Sequence, residues 1–194
     1  MLGTLFMTVL MFVDLWGYSE LEAALVITPV PVMALVVAPI VGRLSDRVSP
    51  RVLGVPAILA ASVAMLWLGA LPAEPSFWSA VGPLALLGVG IGATFPAVMI
   101  GSMGSIQGQE LGLGSGIVNM CRQVGFAIGI ALLVAVFTGT LGDQPLSDEH
   151  VRDSYAAAFR VAALCAFLAV PFAFAMRRRA NEIQRPTESA PTPG

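Results

Sequence analysis

The sequence predicts an all-α membrane protein of six spans, and three observations carry that prediction. Hydrophobic residues make up 57% of the 194 residues and charged residues only 11%, against about 25% charged in a typical soluble domain. The mean hydropathy is +0.84. Charge-free runs occupy 23–42, 52–73, 75–109, 123–142 and 161–176, and about 20 apolar residues suffice for a helix to cross a bilayer. So few charges could not cover a soluble globule of this size. Nucleic-acid binding, a soluble dinucleotide enzyme and a disordered chain are excluded at this step.

The spans follow in order. The first, 1–16, is short and ends at Trp16-Gly17-Tyr18. The others are expected near 21–43, 52–72, 78–104, 112–138 and 154–176, with a longer acidic connection at 139–153 holding Asp143, Asp148, Glu149, Arg152 and Asp153. The membrane bundle is thus 1–176. From 177 the chain turns to arginines and then Pro, Thr and Ser, which reads as a disordered tail over 177–194. The opening Met1-Leu-Gly-Thr-Leu-Phe6 has no basic stretch, so no removable signal peptide is expected.

Charge sorts the loops. Arg43, Arg47, Arg51, Arg177, Arg178, Arg179 and Arg185 fall on one side, against Arg152 on the other. The positive-inside rule then puts both termini in the cytoplasm of a multi-pass protein of the cell (inner) membrane, in contact with membrane lipids. The net charge of −2 implies no charged partner. Cys121 and Cys165 have no His or second Cys at ligand spacing, so buried packing is expected of them rather than a disulfide or a metal site. His150 lies alone in an outer loop, and no motif of a membrane enzyme, a metal centre or a cofactor is present.

Inside the spans, Pro29, Pro31, Pro39, Pro96 and Pro171 mark kinks of the kind that transporters and ordinary membrane helices share. Glycines recur at four-residue spacing in Gly88/Gly92, Gly112/Gly116 and Gly125/Gly129. That spacing lines one helix face and lets backbones approach closely. Arg122 lies about ten residues into the fifth span, roughly 15 Å deep at 1.5 Å per residue. A cation there costs at least about 2.5 kcal/mol unless it is paired or faces water. Ser115, Asn119, Arg122 and Gln123 share a face by the i, i+3, i+4 rule. A polar stripe ending in a cation suits a water-filled solute path or a structural hydrogen-bond knot. Arg160 can snorkel to the outer surface, and Asp14, three residues before Gly17, reads as an interfacial residue.

The most specific stretch is 42–51, Gly42-Arg43-Leu44-Ser45-Asp46-Arg47-Val48-Ser49-Pro50-Arg51. It resembles the signature loop of the major facilitator superfamily, Gly-x-Leu-x-Asp-Arg-x-Gly-x-Arg, with Ser49 in place of the second glycine. Gly17-Tyr18-Ser19, Leu21-Glu22-Ala23 and Pro29 are similar to the fourteen-span drug:proton antiporters of that family, as is the stretch from Gly112 to Gly129 with its Arg122-Gln123-x-Gly125 core. Near Val13 and Asp14 the chain departs from that branch, which commonly has Gln there. The resemblance implies the C-terminal six-helix half of a two-bundle transporter, made of two inverted three-helix repeats. It further implies a small-molecule substrate exchanged for protons, and a partner in the form of an N-terminal-half chain or a second copy. A non-transporting membrane scaffold or an inactive truncated remnant is the alternative. Within the loop, Asp46 can pair with an arginine or a helix N-terminus and latch one bundle to another, whereas the arginines serve topology as well.

Overall fold

The computed structural model describes residues 1–45, 48–72, 76–103, 111–142 and 147–175. Every element among them is helical. The order is α1 (Leu2–Asp14), α2 (Glu20–Ile27), α3 (Pro29–Ser45), α4 (Pro50–Leu68), α5 (Phe77–Met103), α6 (Leu111–Leu141), α7 (Asp148–Leu168) and α8 (Val170–Ala175).

Among the described residues, five spans are long and apolar enough to cross a membrane: α2 with α3, α4, α5, α6, and α7 with α8. The sixth element, α1, has 13 residues, or about 20 Å, against a hydrocarbon core of about 30 Å. Two spans are broken where the sequence places proline. Thr28 separates α2 from α3 just before Pro29, and Ala169 separates α7 from α8 two residues before Pro171. A proline cannot donate to the preceding turn and crowds its carbonyl, so the helix restarts rather than continues. Pro39, Pro56, Pro83 and Pro96 are absorbed inside helices.

Local chemistry sets the ends. Gly17 sits at φ 65°, a left-handed turn that favours glycine. Ser19 then caps α2 through a capping box: Glu22 N–H donates to Ser19 Oγ at 3.3 Å, and Ser19 N–H donates to Glu22 Oε2 at 2.9 Å. At the other family-like loop, Ser49 is an extended N-cap with φ −61°, followed by Pro50 at the first helical position. The substituted glycine is therefore not needed for φ at that residue.

The last span departs from expectation: α7 begins at Asp148, six residues before the predicted 154. Ser147 accepts a hydrogen bond from His150 N–H, and Asp148 and Glu149 occupy the first turn. Acids there complement the helix dipole, so a stretch that reads as loop is helical.

The core is built of small residues with large ones at the acidic-loop end. Gly88 and Gly92 face α3, where a Cβ would meet Val30 O at 2.5 Å and Ala34 Cα at 2.7 Å. Gly90 faces Ala61 of α4. This close packing is what the Gly88/Gly92 spacing predicts. Phe12 stacks on Trp16 at 4.5 Å, Trp16 Nε1 donates to Pro72 O at 3.2 Å, and Phe137 packs on Tyr155 at 4.4 Å. The middle span of each triplet packs on the first span of the other, α3 on α5 and α6 on α1. Two three-span repeats related by a pseudo-two-fold axis produce such reciprocal pairing.

Two expectations are corrected. Gly112, Gly116 and Gly125 meet nothing within 4 Å of an added Cβ, so their small faces are open rather than packed, whereas at Gly129 the backbone of α1 does come close: a Cβ on Gly3 would meet the Gly129 carbonyl carbon at 3.3 Å. Cys121 and Cys165 are free and exposed, not buried. A thiol behaves as a small apolar group and sits as readily on an outward face of an apolar helix as inside it.

Candidate functional site

Arg122 is the centre of the site. It projects from α6 toward Phe95 of α5 and is half-buried. Its Nη2 donates to Asn119 Oδ1 at 2.5 Å, one turn back on the same helix. Its guanidinium carbon lies 5.0 Å from the centre of the Phe95 ring on α5 and 5.9 Å from that of Phe126. These are cation–π distances, and desolvation strengthens such contacts. No carboxylate pairs with Arg122 among the described residues, and its Nε is shielded from solvent without a hydrogen-bond partner.

The polar stripe is only partly brought together. Asn119 joins Arg122, whereas Ser115 Oγ donates to Gly112 O at 2.9 Å within its own helix. Gln123 is exposed and makes no side-chain hydrogen bond among the described residues. Neither a single knot nor a continuous row of four results. What the helix offers is one cation held by an amide and two rings, with donor capacity left over. Phe95 and Phe126 are not marked by the polar pattern of the sequence, since both are apolar residues in apolar helices. The i+4 spacing of Arg122 and Phe126 would have found the second ring.

The signature loop is seen at its edges. Arg43 is exposed in the last turn of α3, Gly42 O accepts from Ser45 Oγ, and Arg51 is half-buried at the start of α4. Asp46 and Arg47 lie outside the described residues. Basic side chains at the α3 terminus suit its dipole.

A second polar contact, at the opposite end, was not foreseen. Tyr155 of α7 is fully buried, and its hydroxyl donates to Asp14 Oδ2 of α1 at 2.6 Å. Asp14 is therefore a tie between the first and last spans as well as an exposed interfacial residue. No group of three or more His, Cys, Asp or Glu able to hold a metal occurs among the described residues.

Residues 1–193 match the profile of the Major Facilitator Superfamily. The chain is 32% identical over 149 residues to the uncharacterized transporter YebQ of Escherichia coli K12, a match covering 77% of this chain and 32% of that protein. It is 31% identical over 132 residues to a probable actinorhodin transporter of Streptomyces coelicolor, covering 66% of this chain and 23% of the relative. It is 34% identical over 130 residues to the puromycin resistance protein pur8 of Streptomyces alboniger, covering 63% and 26%. The matches thus span about a third or less of these relatives' length.

Proposed function

The chain belongs to the Major Facilitator Superfamily, a family of transporters rather than enzymes, and from that premise we propose that it is half of a proton-coupled efflux transporter for multiple drugs or related small molecules. Relatives named for actinorhodin transport and puromycin resistance support that substrate class. The observation that carries the reading is Arg122, a cation with unused donor capacity on an otherwise uncharged 31-residue helix. Such a residue marks a solute or ion path more often than a packing site.

On this reading α6 lines the path through Asn119 and Arg122, flanked by Ser115 and Gln123. The open faces of Gly112 and Gly116 leave room for a partner bundle, supplied by an N-terminal-half chain or a second copy. The bundle sits in the inner membrane with both termini cytoplasmic, and Asp46 latches the loop 42–51 in one of two transport states.

The test is export of puromycin from an efflux-deficient bacterium. The chain is expressed alone and with the N-terminal half of YebQ, with and without a protonophore. Protonophore-sensitive export that disappears in Arg122→Ala at equal membrane level is the expected result. Absence of export in both contexts would favour the inactive-remnant reading.

A further inference from the structure

The charges of the described residues follow a definite order along the bundle. At one end stand Arg43, in the last turn of α3, and Arg51, in the first turn of α4. At the other end stand the acids. Asp14 closes α1, Glu20 and Glu22 open α2, and Asp148, Glu149 and Asp153 fall in the first turns of α7. Deeper in the described helices the charged residues are Arg122 and Arg160, and both are cations. Arg160 is exposed on α7, whereas Arg122 is half-buried and placed inward along α6 from the arginine end. No described carboxylate stands at that depth to hold a cationic solute.

Arg122 is oriented rather than free. Asn119 takes a hydrogen bond from its Nη2, and the Phe95 and Phe126 rings lie 5.0 and 5.9 Å from the guanidinium carbon. Nε has no partner, so the fork keeps donor capacity that no described acceptor uses. Phe95 remains 48% exposed, which leaves apolar surface directly beside the cation. One oriented charge in an apolar surround takes a ligand of opposite charge with an apolar body. A carboxylate matches the guanidinium fork in shape and in charge. A cation at the same place would meet repulsion with no acid to offset it, which discriminates as strongly as attraction does.

Resting on the reading of Arg122 as part of the solute path, we propose that this half selects organic anions, namely carboxylates on a planar aromatic body. The carboxylate lies on Arg122 and the body against Phe95. A neutral aromatic drug uses the same ring surface without the charge-assisted bonds and binds less well, and a cation binds least. The order of charges then gives the movement a direction. Arg43 and Arg51 concentrate anions at one mouth, Arg122 holds them on the way, and the acids at the far end oppose their return.

Occupancy is read without turnover. The full chain in phosphatidylcholine nanodiscs is titrated with tritiated 2-naphthoate by equilibrium dialysis, with empty nanodiscs as background. Naphthalene-2-carboxamide, 2-naphthylmethylammonium and nitrate serve as competitors. Naphthoate should bind about tenfold tighter than the carboxamide or better, and the ammonium should not compete at equal concentration. Nitrate, with the charge and no body, should need about tenfold more than naphthoate. Arg122→Gln should bring naphthoate down to the level of the carboxamide, whereas Phe95→Ala should weaken both and leave their ratio. Arg122→Lys keeps the charge and should keep naphthoate ahead of the ammonium, which tests the charge even where Arg122→Gln does not fold. Equal competition by the ammonium, or a naphthoate preference that survives Arg122→Gln in folded protein, would overturn the anion assignment. Nitrate as strong as naphthoate would overturn the aromatic body. Loss of naphthoate binding when the N-terminal half of YebQ co-purifies with the chain would mean that a partner carboxylate neutralises Arg122, and would overturn the assignment too. Arg122-dependent puromycin export without naphthoate preference would leave the transport reading standing and remove this one. Naphthoate preference without export would uphold the site and remove transport.

Discussion

Tyr155 and Asp14 stand 141 residues apart in sequence and 2.6 Å apart in space. Their contact is asymmetric, since the phenol is fully buried while the carboxylate is exposed. Removing the hydroxyl lets Asp14 return to water, so Tyr155→Phe should cost only about 1 kcal/mol. Asp14→Leu instead strands a buried hydroxyl, a loss of about 1–3 kcal/mol. The midpoint of thermal unfolding in detergent should therefore fall further for Asp14→Leu than for Tyr155→Phe, and the reverse order would mean the pair does not tie α1 to α7. Arg122 is a residue-scale case too. Arg122→Lys keeps the charge but loses the planar contact with Phe95 and Phe126, so it should fold like the parent yet support less export in the two-half assay. Depth and charge make Arg122 legible in the sequence, because a cation ten residues into an apolar helix has few explanations. Tyr155 was not legible. Nothing in local spacing says that α1 and α7 meet, and a tyrosine in an apolar helix looks like core.

Among the elements, the glycines divide by what they face. Gly88→Val would drive side-chain atoms into the Val30 carbonyl of α3, an overpacking cost of about 1–3 kcal/mol. Gly112→Ala meets nothing within 4 Å, so it should stabilise α6 by up to about 1 kcal/mol through helix propensity. Opposite signs in the thermal midpoint are the expected outcome; a loss in both would place a neighbour on Gly112 that the chain alone does not provide. Four-residue glycine spacing is readable in the sequence, but whether the face is filled is a property of the tertiary arrangement. The same holds for the breaks. Pro29 and Pro171 announce them, while the early start of α7 escaped notice because Asp148 and Glu149 resemble loop residues until Ser147 is recognised as a cap.

For the whole molecule, the testable matter is how the bundle lies in its membrane. With both termini cytoplasmic, Gln144→Cys should react with an impermeant maleimide on intact cells and Ser189→Cys should not, in a background where Cys121 and Cys165 are replaced by Ala. The opposite pattern would invert the orientation. The proposed latch at Asp46 belongs to the same scale: Asp46→Asn should lower turnover of a reconstituted transporter more than it lowers membrane level. A lost charge-assisted bond of about 1.5–3 kcal/mol is enough to unbalance two states a few kcal/mol apart. Five of the six expected spans and the family are readable from charge-free runs and from the order of motifs along 17–135. The reciprocal pairing of α3 with α5 and α6 with α1 was implied by the resemblance alone, since no local pattern encodes which helices touch.

The long apolar stripe on α6 has a consequence for the life of the protein in a cell. Leu113, Ile117, Met120, Val124 and Ile128 are all exposed at helical spacing, Met120 by 68%. Beside them lie glycine faces with nothing against them. Lipid tolerates the apolar stripe, but the cation and amides on the neighbouring face are not tolerated so cheaply. A chain made in excess of whatever covers that face would be conspicuous to membrane quality-control proteases. Its half-life should then lengthen when a covering chain is co-expressed, and its abundance should follow the partner's synthesis rather than its own. Pulse-chase of the chain with and without the N-terminal half of YebQ would show whether supply of that cover sets the level.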